Sequence, residues 1–149
     1  MKKFALLIAL ISSPLFASDW VKSEDLNTYT SPDIVSGNLN AMIKTYEDGS
    51  LRFGLFLPYE KCYVSESYAE PFTDLYVLGG RHEFKLQCIG KNQAIVYSSN
   101  DVNKQIIDTL VRRDNLCLTI EDGKDSVKMC FSGSGVAEIQ ASSKMKMKN

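Results

Sequence analysis

Four cysteines (Cys62, Cys88, Cys117 and Cys130) and a single histidine, His82, are the residues of this chain with the widest chemical repertoire. Cysteine offers a nucleophilic thiolate, a soft metal ligand or half of a disulfide. There is no Cys-x-x-Cys and no second histidine, so the spacing gives no support to a zinc site. An even cysteine count in an exported chain predicts two disulfides. His82 falls beside Arg81 and Glu83 with no nucleophile signature near it, and is expected to be a surface turn residue without a catalytic role. Neither a metal nor a cofactor is expected.

Recognition chemistry is richest between Pro58 and Asp74. Phe53, Phe56, Tyr59, Tyr63, Tyr68, Phe72 and Tyr76 place seven aromatic rings within 24 positions. Glu60, Glu66, Glu70 and Asp74 outnumber Lys61 there, and Pro58 and Pro71 bracket the stretch, which is expected to stop regular strand pairing. A tyrosine-rich loop on a rigid sheet offers large contact area at low entropic cost. Tyr59, Tyr63, Tyr68, Phe72, Glu60, Glu66 and Glu70 are therefore the candidate contact residues for a protein partner. The competing expectation is that these rings cap the open end of a sheet, with Cys62 stapling the segment down.

The element that must position the cysteines is a hairpin from Asn115 to Phe131. Leu116, Leu118 and Ile120 alternate along one strand, and Val127, Met129 and Phe131 along its return. A two-residue Asp122-Gly123 loop would set Asp125 opposite Ile120 and leave the cysteines diagonal, ~7–8 Å apart. A four-residue loop, Asp122 to Asp125, pairs Ile120 with Val127, Leu118 with Met129 and Leu116 with Phe131. It also sets Cys117 directly opposite Cys130, at a spacing a disulfide tolerates. The second register is expected, and it leaves Cys62 to pair with Cys88.

Residues 1–17 read as a secretory signal peptide: Lys2 and Lys3, an apolar run from Phe4 to Ile11, and a small-residue exit at Ala17. The run is shorter than the ~20 apolar residues of a membrane span. Its short Lys-Lys form points to a bacterial envelope protein, periplasmic or secreted. Taking these 17 residues from the 149 leaves 132, and taking their two lysines from the 17 basic side chains leaves 15 against 18 acidic ones, a net charge of −3. That balance argues against nucleic acid as a partner, and no second apolar run suggests stable membrane insertion.

Along the remainder, residues 18–40 read as a polar N-terminal arm anchored by Trp20, and 41–141 as a single β-rich domain. Strands are expected at Ala41–Tyr46 and Leu51–Leu57 around Glu47-Asp48-Gly49-Ser50, then at Leu75–Gly79 and Glu83–Ile89 through Gly79-Gly80-Arg81-His82. A further strand is expected at Ala94–Ser98. Val102, Ile106 and Leu110 at every fourth position predict one amphipathic helix over Asp101–Arg112. Ser132-Gly133-Ser134-Gly135 reads as a flexible turn, Val136–Ala141 as a last strand, and 142–149 as a disordered basic tail. The fold expected is mainly β: a small antiparallel β-sandwich or flattened barrel with one helix and two disulfides. The function expected is binding without catalysis, as an inhibitor or immunity-type protein engaging another protein. The alternatives are an exported hydrolase with dispersed catalytic residues and a structural surface factor.

Overall fold

In the computed structural model, which describes residues 19–24, 27–62 and 69–147, the chain is mainly β. The elements in order are β1 (Val21–Lys22), β2 (Thr28–Pro32), β3 (Asn40–Thr45), β4 (Leu51–Pro58), β5 (Glu70–Val77), β6 (Gly80–Gly90), β7 (Gln93–Ser98), α1 (Asn100–Val111), β8 (Leu116–Asp122), β9 (Asp125–Phe131) and α2 (Val136–Met147). The nine strands form one antiparallel sheet in the order β1-β2-β3-β4-β7-β6-β5-β8-β9, curled into a half-barrel.

Alternation builds the inner face. Ala41 and Ile43, Phe53 and Leu55, Ala94 and Val96, Phe84 and Leu86, Leu75 and Val77, Leu116 and Leu118, and Met129 and Phe131 are all buried in one cluster. Phe53 and Phe131, from strands far apart in the sheet, meet edge to face with centroids 5.9 Å apart. Val102, Ile106, Ile107 and Leu110 bring the apolar stripe of α1 onto the same core. Full burial of each such side chain contributes ~1.5–3 kcal/mol.

The cysteine hairpin has the expected register, Leu116↔Phe131, Leu118↔Met129 and Ile120↔Val127, with Cys117 opposite Cys130. The loop is tighter than expected, since Glu121↔Ser126 and Asp122↔Asp125 also pair and leave Gly123-Lys124 as the turn. Gly123 takes a φ of 60°, which glycine adopts without the penalty a Cβ would bring. Both disulfides form as expected: Cys117–Cys130 with Cα atoms 4.0 Å apart, and Cys62–Cys88 with Cα atoms 5.5 Å apart. The second holds the segment after β4 against the β6–β7 turn, where Asn92 N–H donates to the Cys62 carbonyl at 2.7 Å and Tyr59 N–H to the Asn92 carbonyl at 3.0 Å.

Several expectations need correction. The arm at 18–40 belongs to the sheet, supplying β1 and β2, and Trp20 is buried with its indole N–H donating to the Ser132 carbonyl at 2.7 Å. The β5–β6 turn is Leu78-Gly79, with φ of 57° and 79°; positive φ at both central residues is the geometry that matches strand twist in a two-residue hairpin. His82 consequently lies within β6 opposite Leu75, half-buried, and is not a turn residue. Proline does not end the pairing as expected: Pro58 closes β4 opposite Gln93, and Pro71 pairs with Lys85 beside a register shift before Asp74. A strand end and a bulge are the places where a missing N–H is tolerated.

The expected last strand and the expected tail as far as Met147 are a helix, α2, giving two helices among the described residues where one was expected. Val136, Ile139 and Ser143 are the buried ones among its described side chains, a helical i, i+3, i+7 stripe whose third member is polar. The turn before it is wedged against the end of α1. A Cβ on Gly133 would lie 2.6 Å from the Asp114 carbonyl oxygen and 2.8 Å from the Leu110 carbonyl oxygen, so only glycine lets this turn sit on the end of α1.

Asp33, just after β2, joins the two ends of the curl. Its carboxylate accepts from the N–H groups of Cys130 (2.8 Å), Val35 (3.0 Å) and Ser36 (3.0 Å) and from the Ser36 hydroxyl (2.6 Å), while Ile34 N–H donates to the Cys130 carbonyl at 2.9 Å. Burial works to raise its pKa, but the Ser36 hydroxyl, the Cys130 N–H and the two local N–H groups outweigh burial and hold it below the ordinary 3.8. Asp33 thus stays charged and clamps β9, the last strand of the sheet, to the β2–β3 connection.

Candidate binding groove on the open sheet face

The core and α1 occupy the inner face of the sheet, so the outward side chains of β2, β3, β4, β7 and β6 are left to form a surface of their own. They line a groove of about 1000 Å³. Period-two geometry selects them: Thr28 and Thr30 from β2, Met42 and Lys44 from β3, Arg52, Gly54 and Phe56 from β4, Ile95 and Tyr97 from β7, and Gln87 and Ile89 from β6. Met42 is buried, Phe56 and Ile95 are half-buried, and Ile89 is 41% exposed.

Gly54 makes the trough. It stands opposite Met42 on β3, and a Cβ there would meet the Ile95 side chain at 2.9–3.0 Å. Ile95 can therefore lie flat across the strand. A glycine inside a strand weakens it and often marks a place of close approach.

One end of the groove is cationic. Lys44 stands directly opposite Arg52; the Lys44 ammonium lies 5.4 Å from the Tyr46 ring centroid, and the Arg52 guanidinium 5.3 Å from that of Tyr97. Arg52 also donates to Asn100 Oδ1 at the start of α1. Asn103, one turn on, bonds the β4 backbone like a strand: its Oδ1 accepts from Phe53 N–H at 2.9 Å and its Nδ2 donates to the Leu51 carbonyl at 3.0 Å. Helix and groove are thereby held in fixed relation. Among the described residues the ion pairs are Arg81–Glu121, Arg112–Asp114 and Arg113–Glu138, so neither Lys44 nor Arg52 belongs to one. Asp48 lines the same end, with its carboxylate accepting from the Ser50 hydroxyl at 2.6 Å and the Ser50 N–H at 2.9 Å. The Ser50 hydroxyl, then its N–H, hold Asp48 below its ordinary pKa, so it remains an anion on the groove's lining.

The residues singled out from the sequence lie elsewhere. Tyr59 and Phe72 are half-buried and pack against the core cluster, while Glu60 and Glu70 are exposed. Tyr63, Glu66 and Tyr68 fall at 63–68, outside the described residues. The groove was not singled out, although its signal is present: within L-R-F-G-L-F-L the outward positions Arg52, Gly54 and Phe56 are a cation, a gap and a ring. What the sequence does not show is which strands flank β4. Among the described residues no group of three or more His, Cys, Asp or Glu is placed to hold a metal ion, and no helix is long and apolar enough to cross a membrane. Comparison with protein families, with curated proteins and with solved structures finds no match for this chain.

Proposed function

We propose that this chain is an exported bacterial binding protein without catalytic activity, and that its recognition surface is the groove across β2, β3, β4, β7 and β6. The observation that carries the reading is the pairing of an apolar floor (buried Met42, half-buried Phe56 and Ile95, and exposed Ile89) with two cations, Lys44 and Arg52, that lie outside the ion pairs of the described residues. A concave, largely apolar surface with a few convergent polar groups is the usual form of a ligand site. Aromatic residues, methionine and arginine are also the types enriched where proteins bind each other. Export is supported by the leader at residues 1–17 and by the two disulfides, which persist in oxidising compartments.

Site-specific photocrosslinking in the native host tests the reading. A benzophenone side chain placed at Tyr97 or Ile89 should give a discrete adduct that the same group at Val127, on β9, does not give. Equal adducts from all three positions would show that the groove has no special role. Mass spectrometry of the same protein should find its N-terminus at or near Ser18; a retained Met1 would refute export with cleavage.

A further inference from the structure

This inference rests on the groove being the binding surface, and it names what the groove takes. Its outward side chains fall into three rows along the strands. In the first row Lys44 faces Arg52, and in the second Met42 faces Gly54. In the third, Asn40 faces Phe56, which in turn faces Ile95. Phe56 lies four positions beyond Arg52, or ~14 Å at ~3.4 Å per residue. The groove therefore has a cationic head end and an apolar body running parallel to the strands.

Like charges directly opposite on neighbouring strands destabilise a sheet. Here no ion pair of the described residues relieves Lys44 or Arg52; Asp48, whose Oδ1 accepts from Ser50, keeps its charge but forms an ion pair with neither. The Arg52 guanidinium is instead steered by Asn100 and Tyr97. Only one of its N–H groups is used by Asn100, which leaves the rest of its planar fork for a carboxylate. Beyond the cations, Gly54 keeps the floor low, and Met42, Ile95 and Phe56 offer a narrow apolar track instead of a deep pocket.

We propose that the groove binds a fatty-acid-like amphiphile, its carboxylate between Lys44 and Arg52 and its chain lying along β3 and β4 over Met42 and Gly54 toward Phe56 and Ile95. Each buried methylene adds ~0.8 kcal/mol, so affinity should climb with chain length until the chain passes the Phe56 row. The head supplies direction and selectivity for an anion.

The test is nuclear magnetic resonance on the mature, disulfide-intact protein with labelled methionine and isoleucine methyls. It is titrated with decanoate, decyltrimethylammonium and acetate, each below any micelle concentration. Saturable decanoate shifts are expected at Met42, Ile95 and Ile89, with decyltrimethylammonium at least tenfold weaker and acetate silent. Lys44→Glu should weaken decanoate at least tenfold, and Lys44→Gln, which is milder to the fold, should weaken it severalfold. Lys128→Glu on β9 should leave it unchanged. Equal binding of both decyl compounds would overturn the anionic head while leaving the groove a binding surface. Groove shifts that grow with protein concentration alone would overturn the amphiphile in favour of a second copy. No groove response to either decyl compound would also overturn it, and a groove-specific crosslink to a protein would then keep the binding reading alone.

Discussion

Asp33 offers the sharpest test of how the half-barrel is held. It is 3% exposed and gathers four donors on one carboxylate, of which only the Cys130 N–H comes from a distant strand. Asp33→Asn keeps the size but replaces one acceptor oxygen with an N–H donor. Either Oδ1 survives and Ser36 loses its two bonds, or Oδ2 survives and Val35 and Cys130 lose theirs. A hydrogen bond to a charged group contributes ~1.5–3 kcal/mol, and an orphaned buried N–H costs ~1–3 kcal/mol. The Val35 and Ser36 groups sit on an exposed turn, where water can replace the lost bonds. The net loss should therefore reach at most that of a single buried charged bond, ~1.5–3 kcal/mol, the full amount if the Cys130 bond is the one lost.

The assay is urea unfolding of both proteins with disulfides intact, together with hydrogen exchange at the Cys130 and Ile34 amides. The pH dependence has a definite sign. A carboxyl held below its ordinary 3.8 binds its proton more readily in the unfolded chain, so its stabilisation is present at neutral pH. That stabilisation begins to fall as pH drops toward 3.8 and vanishes as the lowered folded value is passed. The gap between wild type and Asp33→Asn should be constant near neutrality and shrink in acid. A gap below ~0.5 kcal/mol at pH 7, the scatter expected of ordinary surface substitutions, would refute the clamp. A gap that does not change down to the acid-unfolded state would refute the role assigned to its charge.

Removing Cys62–Cys88 should cost ~3.5 kcal/mol and removing Cys117–Cys130 ~2.9 kcal/mol, from loop entropies at sequence separations of 26 and 13; a larger loss for the hairpin bridge, read from paired Cys→Ser unfolding curves, would show that native contacts set the order. Gly133→Ala should lower stability by ~1–3 kcal/mol, because its Cβ would strike main-chain atoms of Leu110, Arg113 and Asp114. Full stability in a thermal melt would mean the turn before α2 has room to move. Ser31→Ala should be neutral or stabilising, since the Ser31 hydroxyl is buried at 1% exposure with no hydrogen-bond partner among the described residues; a loss above ~1 kcal/mol would reveal a partner for it.

The parts of the fold legible in the sequence were those whose information is local. Leu116–Ile120 and Val127–Phe131 alternate cleanly, and with one cysteine on each strand the register follows from pairing alone. The stripe Val102, Ile106, Leu110 likewise announces α1. The failures share a physical cause, which is tertiary context outweighing local pattern. Val136–Met147 shows no strong apolar face because Ser143 occupies a buried position. It docks as a helix because Gly133 lets the preceding turn sit on the end of α1. Leu78 reads as a strand residue but takes positive φ, since Val77 and Gly80 pair around it.

The groove escaped for a different reason. A single strand reveals that Arg52, Gly54 and Phe56 share a face, but not that Lys44 and Met42 lie on one side of them and Ile95 on the other. That arrangement follows from β7 pairing with β4 across an interval that holds β5 and β6. The aromatic density near Pro58 was a genuine compositional signal, yet two of its described rings, Tyr59 and Phe72, are used against the core. Those two rings do the work of the competing expectation, capping the core, while Glu60 and Glu70 stay exposed. In a sheet, the surface is written across strands, and residues 44, 52 and 97 are seen to line one groove only once the strand order is known.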